Sequence, residues 1–188
     1  MIDLQSDMAT FFRERLDAAF ARRQLEASAE TRVYLVRLLT SMIRSDPNTV
    51  LGLPYGLWLV QAATEPSPSA RVRRLRELGD ATLYGVGFFG AALEHRGVSR
   101  RYVLDIGRRA YRAAASGPVR PVLVELADAI GRFALVLDDV REQTALRTPQ
   151  DIVRLYDRWR RTGSPLLAER LGREGVFPQR PGRGRTLH

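Results

Sequence analysis

Arginine side chains form the clearest chemical pattern in this sequence. A helix predicted from about residue 100 to 115 places apolar side chains on one face and guanidinium groups on the other. The arginines of this helix are Arg100, Arg101, Arg108, Arg109 and Arg112. Guanidinium groups pair with phosphate oxygens, so such a stripe is suited to a nucleic-acid backbone. The simpler interpretation is a solvated arginine face on an amphipathic helix.

The segment 92–112 is also similar to a helix-turn-helix. Gly97 occupies the expected turn position, and Val98, Val103 and Ile106 fall where buried apolar residues are expected. Arg96 departs from the pattern, because an apolar residue is usual at that position. The segment is therefore an alternative nucleic-acid-binding element.

A second group of arginines lies in the last eleven residues, in an Arg-Gly segment. They are Arg180, Arg183 and Arg185. Short Arg-Gly segments can contact nucleic acid, although a solubilising tail has the same composition.

The net charge of +9 is concentrated in two stretches of the chain. Residues 99–120 carry six arginines and one acid, and residues 152–188 carry nine arginines and three acids.

The residue types that are absent exclude several kinds of chemical site. The chain has no cysteine and no lysine, and its histidines are His95 and His188. This composition excludes disulfides, thiol catalysis, Schiff-base chemistry and the lysine of a phosphate-binding loop. No catalytic or metal-binding motif is present, so we expect no cofactor and no metal site, and a non-enzymatic protein is favoured.

A literal Gly-x-Gly-x-x-Gly pattern occurs at Gly85, Gly87 and Gly90. In a dinucleotide-binding fold such glycines precede a crossover helix. Only six residues separate Gly90 from Gly97, which is too few for that helix. We therefore favour a buried helix in which these glycines let neighbouring helices approach closely.

The elements that must position these residues are helical. Apolar residues recur at three- and four-residue spacing, and 188 residues are normally one domain. We predict an all-α single domain of about seven or eight helices over residues 1–177, followed by a flexible basic tail over 178–188. Residues 81–93 contain no charge, so the hairpin at about 69–115 is predicted to be the buried centre of the bundle.

If that hairpin is antiparallel and pivots near residue 97, Tyr84 lies opposite Tyr111 and Phe88 lies opposite Gly107, whose missing side chain leaves room for the ring. The same register predicts an ion pair between Asp80 and an arginine near Arg112. A further alternative is a small-molecule pocket lined by aromatic residues of this region, namely Trp58, Tyr84, Phe88 and Tyr111.

The segment that runs from Asp80 through Gly87-Phe88-Phe89 and Tyr102 to Gly107 and Ala110-Tyr111 resembles an uncharacterised all-helical bacterial protein family. The resemblance implies a helical fold and no particular activity.

Taken together, these patterns favour a helical binding or scaffolding protein with an unknown protein partner. The alternatives are nucleic-acid binding and small-molecule binding, and a homodimer is compatible with the sequence. The N-terminus lacks a signal-peptide pattern, and the longest uncharged stretch is interrupted by Pro54. We therefore expect a cytoplasmic protein with no membrane span.

Overall fold

A computed structural model describes residues 4–42, 51–143 and 149–177 of the chain. These ranges contain nine α-helices, one 3-10 turn at Gly117–Val119 and no strand. The α-helices are α1 Leu4–Arg23, α2 Ala29–Met42, α3 Tyr55–Ala63, α4 Pro68–His95, α5 Arg100–Ala114, α6 Arg120–Asp128, α7 Ile130–Glu142, α8 Pro149–Thr162 and α9 Pro165–Arg173. The predicted all-α bundle is confirmed, with nine helices in this part of the chain instead of seven or eight.

The additional helix arises at Ala129. The apolar pattern from Pro121 to Leu137 predicts one continuous helix, but the backbone of Ala129 leaves the helical region at φ −119° and ψ 21°. The chain therefore forms two helices, α6 and α7, whose apolar faces both contribute to the core.

Helix α4 is the centre of the bundle. Every residue from 81 to 88 is buried, which confirms the prediction of a helix enclosed by its neighbours. Further along, Phe89 has non-helical backbone angles that kink the helix, and Ala91 is exposed. The glycines of the Gly-x-Gly-x-x-Gly pattern lie inside this helix, so they form no phosphate-binding loop. At Gly87, a Cβ atom would lie 2.5 Å from the Cβ of Leu137, so the missing side chain allows α7 to pack closely.

A tight turn connects α4 to α5. Gly97 adopts a positive φ of 74°, and the amides of Gly97 and Val98 donate to the carbonyls of Glu94 and Leu93. This is the Schellman arrangement, which favours glycine at its left-handed position. The Ser99 side chain then accepts a hydrogen bond from the Tyr102 amide at 3.5 Å and caps α5.

The predicted register of this hairpin is wrong by five or six residues. A Cβ atom on Gly79 would lie 2.5 Å from the Tyr111 ring, and one on Gly107 would overlap the Thr82 side chain. Tyr111 therefore faces Gly79 rather than Tyr84, because its large ring needs a position without a side chain. Phe88 does not face Gly107 but stacks on Tyr84, with the ring centroids 4.8 Å apart.

The geometry of the same hairpin differs from a helix-turn-helix. Contacts between α4 and α5 extend from Gly90 and Arg100 near the turn to Gly79 and Tyr111 at the far end. This distance corresponds to about 16 Å of helix at about 1.5 Å per residue. Steeply crossed helices would separate well before that point, so segment 92–112 belongs to a lengthwise antiparallel hairpin.

The predicted ion pair of Asp80 is also wrong. Among the described residues no arginine forms a salt bridge with Asp80, and Arg112 pairs instead with Asp128 on α6, at 2.8 Å. Asp80 accepts hydrogen bonds from two tyrosines, Tyr34 and Tyr111. The shifted register explains the error, because it brings a phenol rather than a guanidinium group to Asp80.

The last described residues return to the first helix. Arg15 on α1 donates a 3.0 Å hydrogen bond to the carbonyl of Glu174, and Val176 is buried. The predicted tail, residues 178–188, lies outside the described residues. Within the described ranges, none of the helices is both long enough and apolar enough to cross a bilayer.

Candidate binding site on helix α2

Helix α2 presents an unusual outer face. Ala29, Val33 and Arg37 follow one another at four-residue spacing, so they form a line along one side of the helix. Val33 is 49% exposed, although the opposite side of α2 is buried in the core. We call this line of three residues the α2 face. A cleft lies on each side of it.

The first cleft separates α1 from α2 and has a volume of about 360 Å³. Its apolar lining consists of Ala9, Leu16, Ala29, Val33 and Val36. The two helices run antiparallel, because a loop of five residues joins them and Asp17 on α1 forms a salt bridge with Arg32 on α2 at 2.9 Å. Both partners of this salt bridge line the cleft.

The charges around the first cleft are unbalanced, with three arginines and one acid. Arg32 is engaged, since it pairs with Asp17 and its guanidinium group lies 4.5 Å from the centroid of the Phe20 ring. Arg13 on α1 and Arg37 on α2 are exposed, and neither forms an ion pair with any other described residue. Both walls of the cleft thus offer a guanidinium group to an incoming anion.

The second cleft separates α2 from the start of α6 and has a volume of about 470 Å³. It shares the α2 face with the first cleft. Its far wall is apolar and consists of Pro118, Val119 and Val122. Glu30 and Tyr34 complete the lining, so this cleft brings a carboxylate as well as Arg37 to its rim.

Behind the second cleft, Tyr34 takes part in a buried polar cluster. Its hydroxyl donates to Asp80 Oδ1 at 2.7 Å, and the Tyr111 hydroxyl donates to the same atom at 2.8 Å. Burial raises the pKa of Asp80 to about 6, although these two hydrogen bonds and the charge of Arg76 each lower it. Burial and the adjacent carboxylate also raise the pKa of both tyrosines, so the phenols remain protonated donors.

Asp80 does not line either cleft. Its carboxylate joins Tyr34 of α2 to Tyr111 of α5, so the cluster connects three helices through a single oxygen atom. We assign the cluster a structural role, because neither of the two clefts beside α2 brings a ligand to the carboxylate.

The N-terminus of α2 has a second attachment, at Glu125 on α6. The Glu125 carboxylate accepts hydrogen bonds from the Ser28 amide at 2.9 Å, from the Ser28 hydroxyl, and from the Thr31 hydroxyl at 2.6 Å. Partial burial would raise the pKa of Glu125, but these hydrogen bonds outweigh it and hold the pKa below its ordinary value. Together with Asp80, Glu125 holds α2 in place between the two clefts.

Three of the five arginines predicted on α5 lie beside acids. Arg108 pairs with Asp105 at 2.7 Å, and Arg112 pairs with Asp128 at 2.8 Å. Arg100 folds back over Gly90, with its Nε atom 3.2 Å from Glu94 Oε1 but not aligned for a hydrogen bond.

Two arginines of the stripe remain available. Arg101 and Arg109 are exposed, and neither has an acidic partner among the described residues. The tail arginines, Arg180, Arg183 and Arg185, lie outside the described residues.

A described ring contact joins two of the four residues of the predicted aromatic pocket. Tyr84 and Phe88 form a stacked, buried pair on α4, whereas Tyr111 lies against Gly79. Trp58 is partly buried on α3. Neither cleft beside α2 includes any of these four residues.

The α2 face is not among the sites predicted from the sequence. A valine on the polar side of an amphipathic helix was the available signal: Leu35, Leu38 and Leu39 mark the buried side, and Val33 and Arg37 fall opposite them. Arg13 lies across the cleft because α1 packs against α2, so its position could not be predicted from the sequence of α2 alone.

Within the described residues, no three acidic or histidine side chains gather where they could hold a metal ion. The chain matches no protein-family model, and no curated protein or solved structure matches it. The resemblance of the Asp80–Tyr111 segment to a helical bacterial family stays a prediction.

Proposed function

We propose that this chain is a helical binding protein that acts without catalysis, and that its partner docks on the α2 face. The observation that supports the proposal is the half-exposed Val33, which lies between two apolar clefts with arginines at their rims. A partner for this surface carries an apolar body and a negative charge.

The energetics favour such a partner for two reasons. Covering apolar surface gains about 25 cal/mol for each Å² removed from water, so an occupant of either cleft stabilises the complex. Arg13 and Arg37 interact weakly with dissolved ions in open solvent. An anion held beside the apolar lining would interact with them more strongly, because the partner displaces water from around the charges.

The test uses 1-anilinonaphthalene-8-sulfonate, a fluorescent probe that combines aromatic rings with one negative charge. We expect saturable binding to the folded chain, and loss of that binding in Val33→Glu, which places a carboxylate on the apolar lining, one turn before Arg37. The matched control is Leu135→Glu on α7, since Leu135 is 46% exposed and lines neither cleft.

Thermal melts followed by circular dichroism show whether both variants remain folded. The proposal is contradicted if the unmodified chain does not bind the probe, or if Leu135→Glu weakens binding as much as Val33→Glu does.

A further inference from the structure

We propose that the cleft between α1 and α2 binds a single-chain amphiphile with an anionic headgroup, such as a medium-chain carboxylate. This inference rests on the proposed function and assigns a ligand class to one of the two clefts.

The shape of the cleft suits a small, elongated ligand. Its lining residues on α1 run from Ala9 to Asp17, which corresponds to about 12 Å of helix at about 1.5 Å per residue. The volume of about 360 Å³ lies near the lower limit for small-molecule sites, which range from roughly 300 to 1,000 Å³. A single alkyl chain fits these dimensions better than a folded protein segment does.

The charges determine where the headgroup lies. Arg13 and Arg37 project from opposite walls, so one carboxylate placed between them can accept hydrogen bonds from both guanidinium groups. Asp17, the acid of this cleft, is already paired with Arg32 at 2.9 Å. Repulsion from Asp17 is therefore largely neutralised before the ligand arrives.

The apolar lining determines where the chain of the ligand lies. Leu16, Val33 and Val36 form a surface without a polar side chain between the arginines and the Asp17–Arg32 bridge, and Ala9 extends the apolar lining beyond Arg13. An alkyl chain that covers this surface also covers Val33, which is 49% exposed.

The neighbouring cleft is less suited to the same ligand. It contains Glu30, which forms no ion pair with a described residue and would repel an anionic headgroup. It contributes only Arg37, whereas the first cleft offers Arg37 together with Arg13. The balance of charge therefore selects the cleft between α1 and α2.

The experiment is a calorimetric titration of the full-length chain with decanoate at low ionic strength and below the micellar concentration. We expect one site per chain, weakened by added salt. Decanol, which has the chain without the charge, and acetate, which has the charge without the chain, should each bind at least tenfold more weakly. This factor corresponds to about 1.4 kcal/mol. Decyl phosphate, measured in the same way, shows whether a phosphate headgroup binds as well as a carboxylate.

The diagnostic variant is Arg13→Gln combined with Arg37→Gln, which removes both charges and keeps side chains of intermediate length. We expect its affinity for decanoate to fall about tenfold or more, because hydrogen bonds to charged groups contribute about 1.5–3 kcal/mol each. Arg109→Gln is the matched control, since Arg109 is an exposed arginine on α5 without a described acidic partner. The inference fails if the double variant binds as tightly as the unmodified chain, or if decanol equals decanoate.

Competition with the fluorescent probe separates this inference from the proposed function. If decanoate displaces the probe from a site that depends on Val33, both proposals are supported. If the probe binds there and decanoate neither binds nor displaces it, only the ligand assignment fails. If neither molecule binds, both proposals fail.

Discussion

The hydroxyl of Tyr111 on α5 donates a 2.8 Å hydrogen bond to Oδ1 of Asp80 on α4, and Tyr34 on α2 donates to the same oxygen atom at 2.7 Å. One carboxylate thus connects the central hairpin to the helix that separates the two clefts. Because Asp80 is largely removed from water, its ionisation is coupled to the stability of this arrangement.

The first prediction concerns Asp80→Asn and the pH dependence of stability. The pKa of Asp80 is about 6 in the folded chain and 3.8 in the absence of the fold. Between these values the folded state binds more protons than the unfolded state, so the free energy of unfolding decreases as pH rises. The decrease from this one group between pH 3 and pH 7 is about 3 kcal/mol.

Urea denaturation at a series of pH values measures the effect. Subtracting the free energy of unfolding of the unmodified chain from that of Asp80→Asn isolates the contribution of Asp80 from those of other carboxylates. This difference should increase as pH rises, because the unmodified chain loses stability and the variant does not lose this contribution. Parallel stability curves for the two proteins would contradict the prediction.

The second prediction concerns the two donors to Asp80. Tyr34→Phe and Tyr111→Phe each remove a hydrogen bond that lowers the pKa of Asp80, so in each variant that pKa should rise above 6. Each loss should cost about 1.5–3 kcal/mol at neutral pH, and less at pH 4, where Asp80 is protonated.

Carboxyl-carbon NMR of Asp80 follows the titration directly. The phenylalanine at position 111 keeps the ring that packs on Gly79, so a change in the pKa reports the hydroxyl and not the packing. An unchanged or lowered pKa of Asp80 would rule out the assigned role of these hydroxyls.

The third prediction concerns Gly107, where α5 packs tightly against α4. A Cβ atom on Gly107 would overlap the Thr82 side chain and lie 2.8 Å from Ile130 Cδ1. Gly107→Ala should therefore destabilise the fold by about 1–3 kcal/mol. Gly131→Ala is the matched control, because its Cβ would meet only Leu104 Cδ1, at 4.0 Å; it should stabilise helix α7 by about 0.5–1 kcal/mol.

Thermal unfolding of both variants checks this prediction. The register of α4 against α5 would be incorrect if Gly107→Ala were as well tolerated as Gly131→Ala.

The presence of a central helical hairpin was predictable from the sequence, but its register was not. The uncharged stretch 81–93 indicates burial, and Gly97 with Ser99 indicates the turn. The register depends on how the ring of Tyr111 and the side chain of Thr82 fit against glycines, and the residues of the turn do not specify these contacts. Facing residues that are paired by counting outward from the turn are therefore the wrong ones.

Two other features of the structure could not be predicted from the sequence, for related reasons. The break at Ala129 has no proline or glycine at that position, so local preference does not mark it. The cleft between α1 and α2 depends on Arg13 and Arg37, which come from different helices and are brought together only by packing. Helix existence follows from periodicity along the chain, whereas both the register and the candidate site depend on contacts between separate segments.

The last prediction concerns the arginine stripe of α5 and the hypothesis of nucleic-acid binding. Arg108 and Arg112 are already paired with Asp105 and Asp128, so phosphate contacts by this helix should depend mainly on Arg101 and Arg109. Fluorescence anisotropy with a labelled duplex at several salt concentrations tests this. Arg101→Ala with Arg109→Ala should reduce the slope of affinity against salt by about two. Arg108→Ala with Arg112→Ala should change that slope less, because each of those guanidinium groups must first give up a carboxylate. Equal effects of the two double variants would contradict this division of roles, and a duplex affinity that does not depend on salt would remove α5 as a nucleic-acid-binding element.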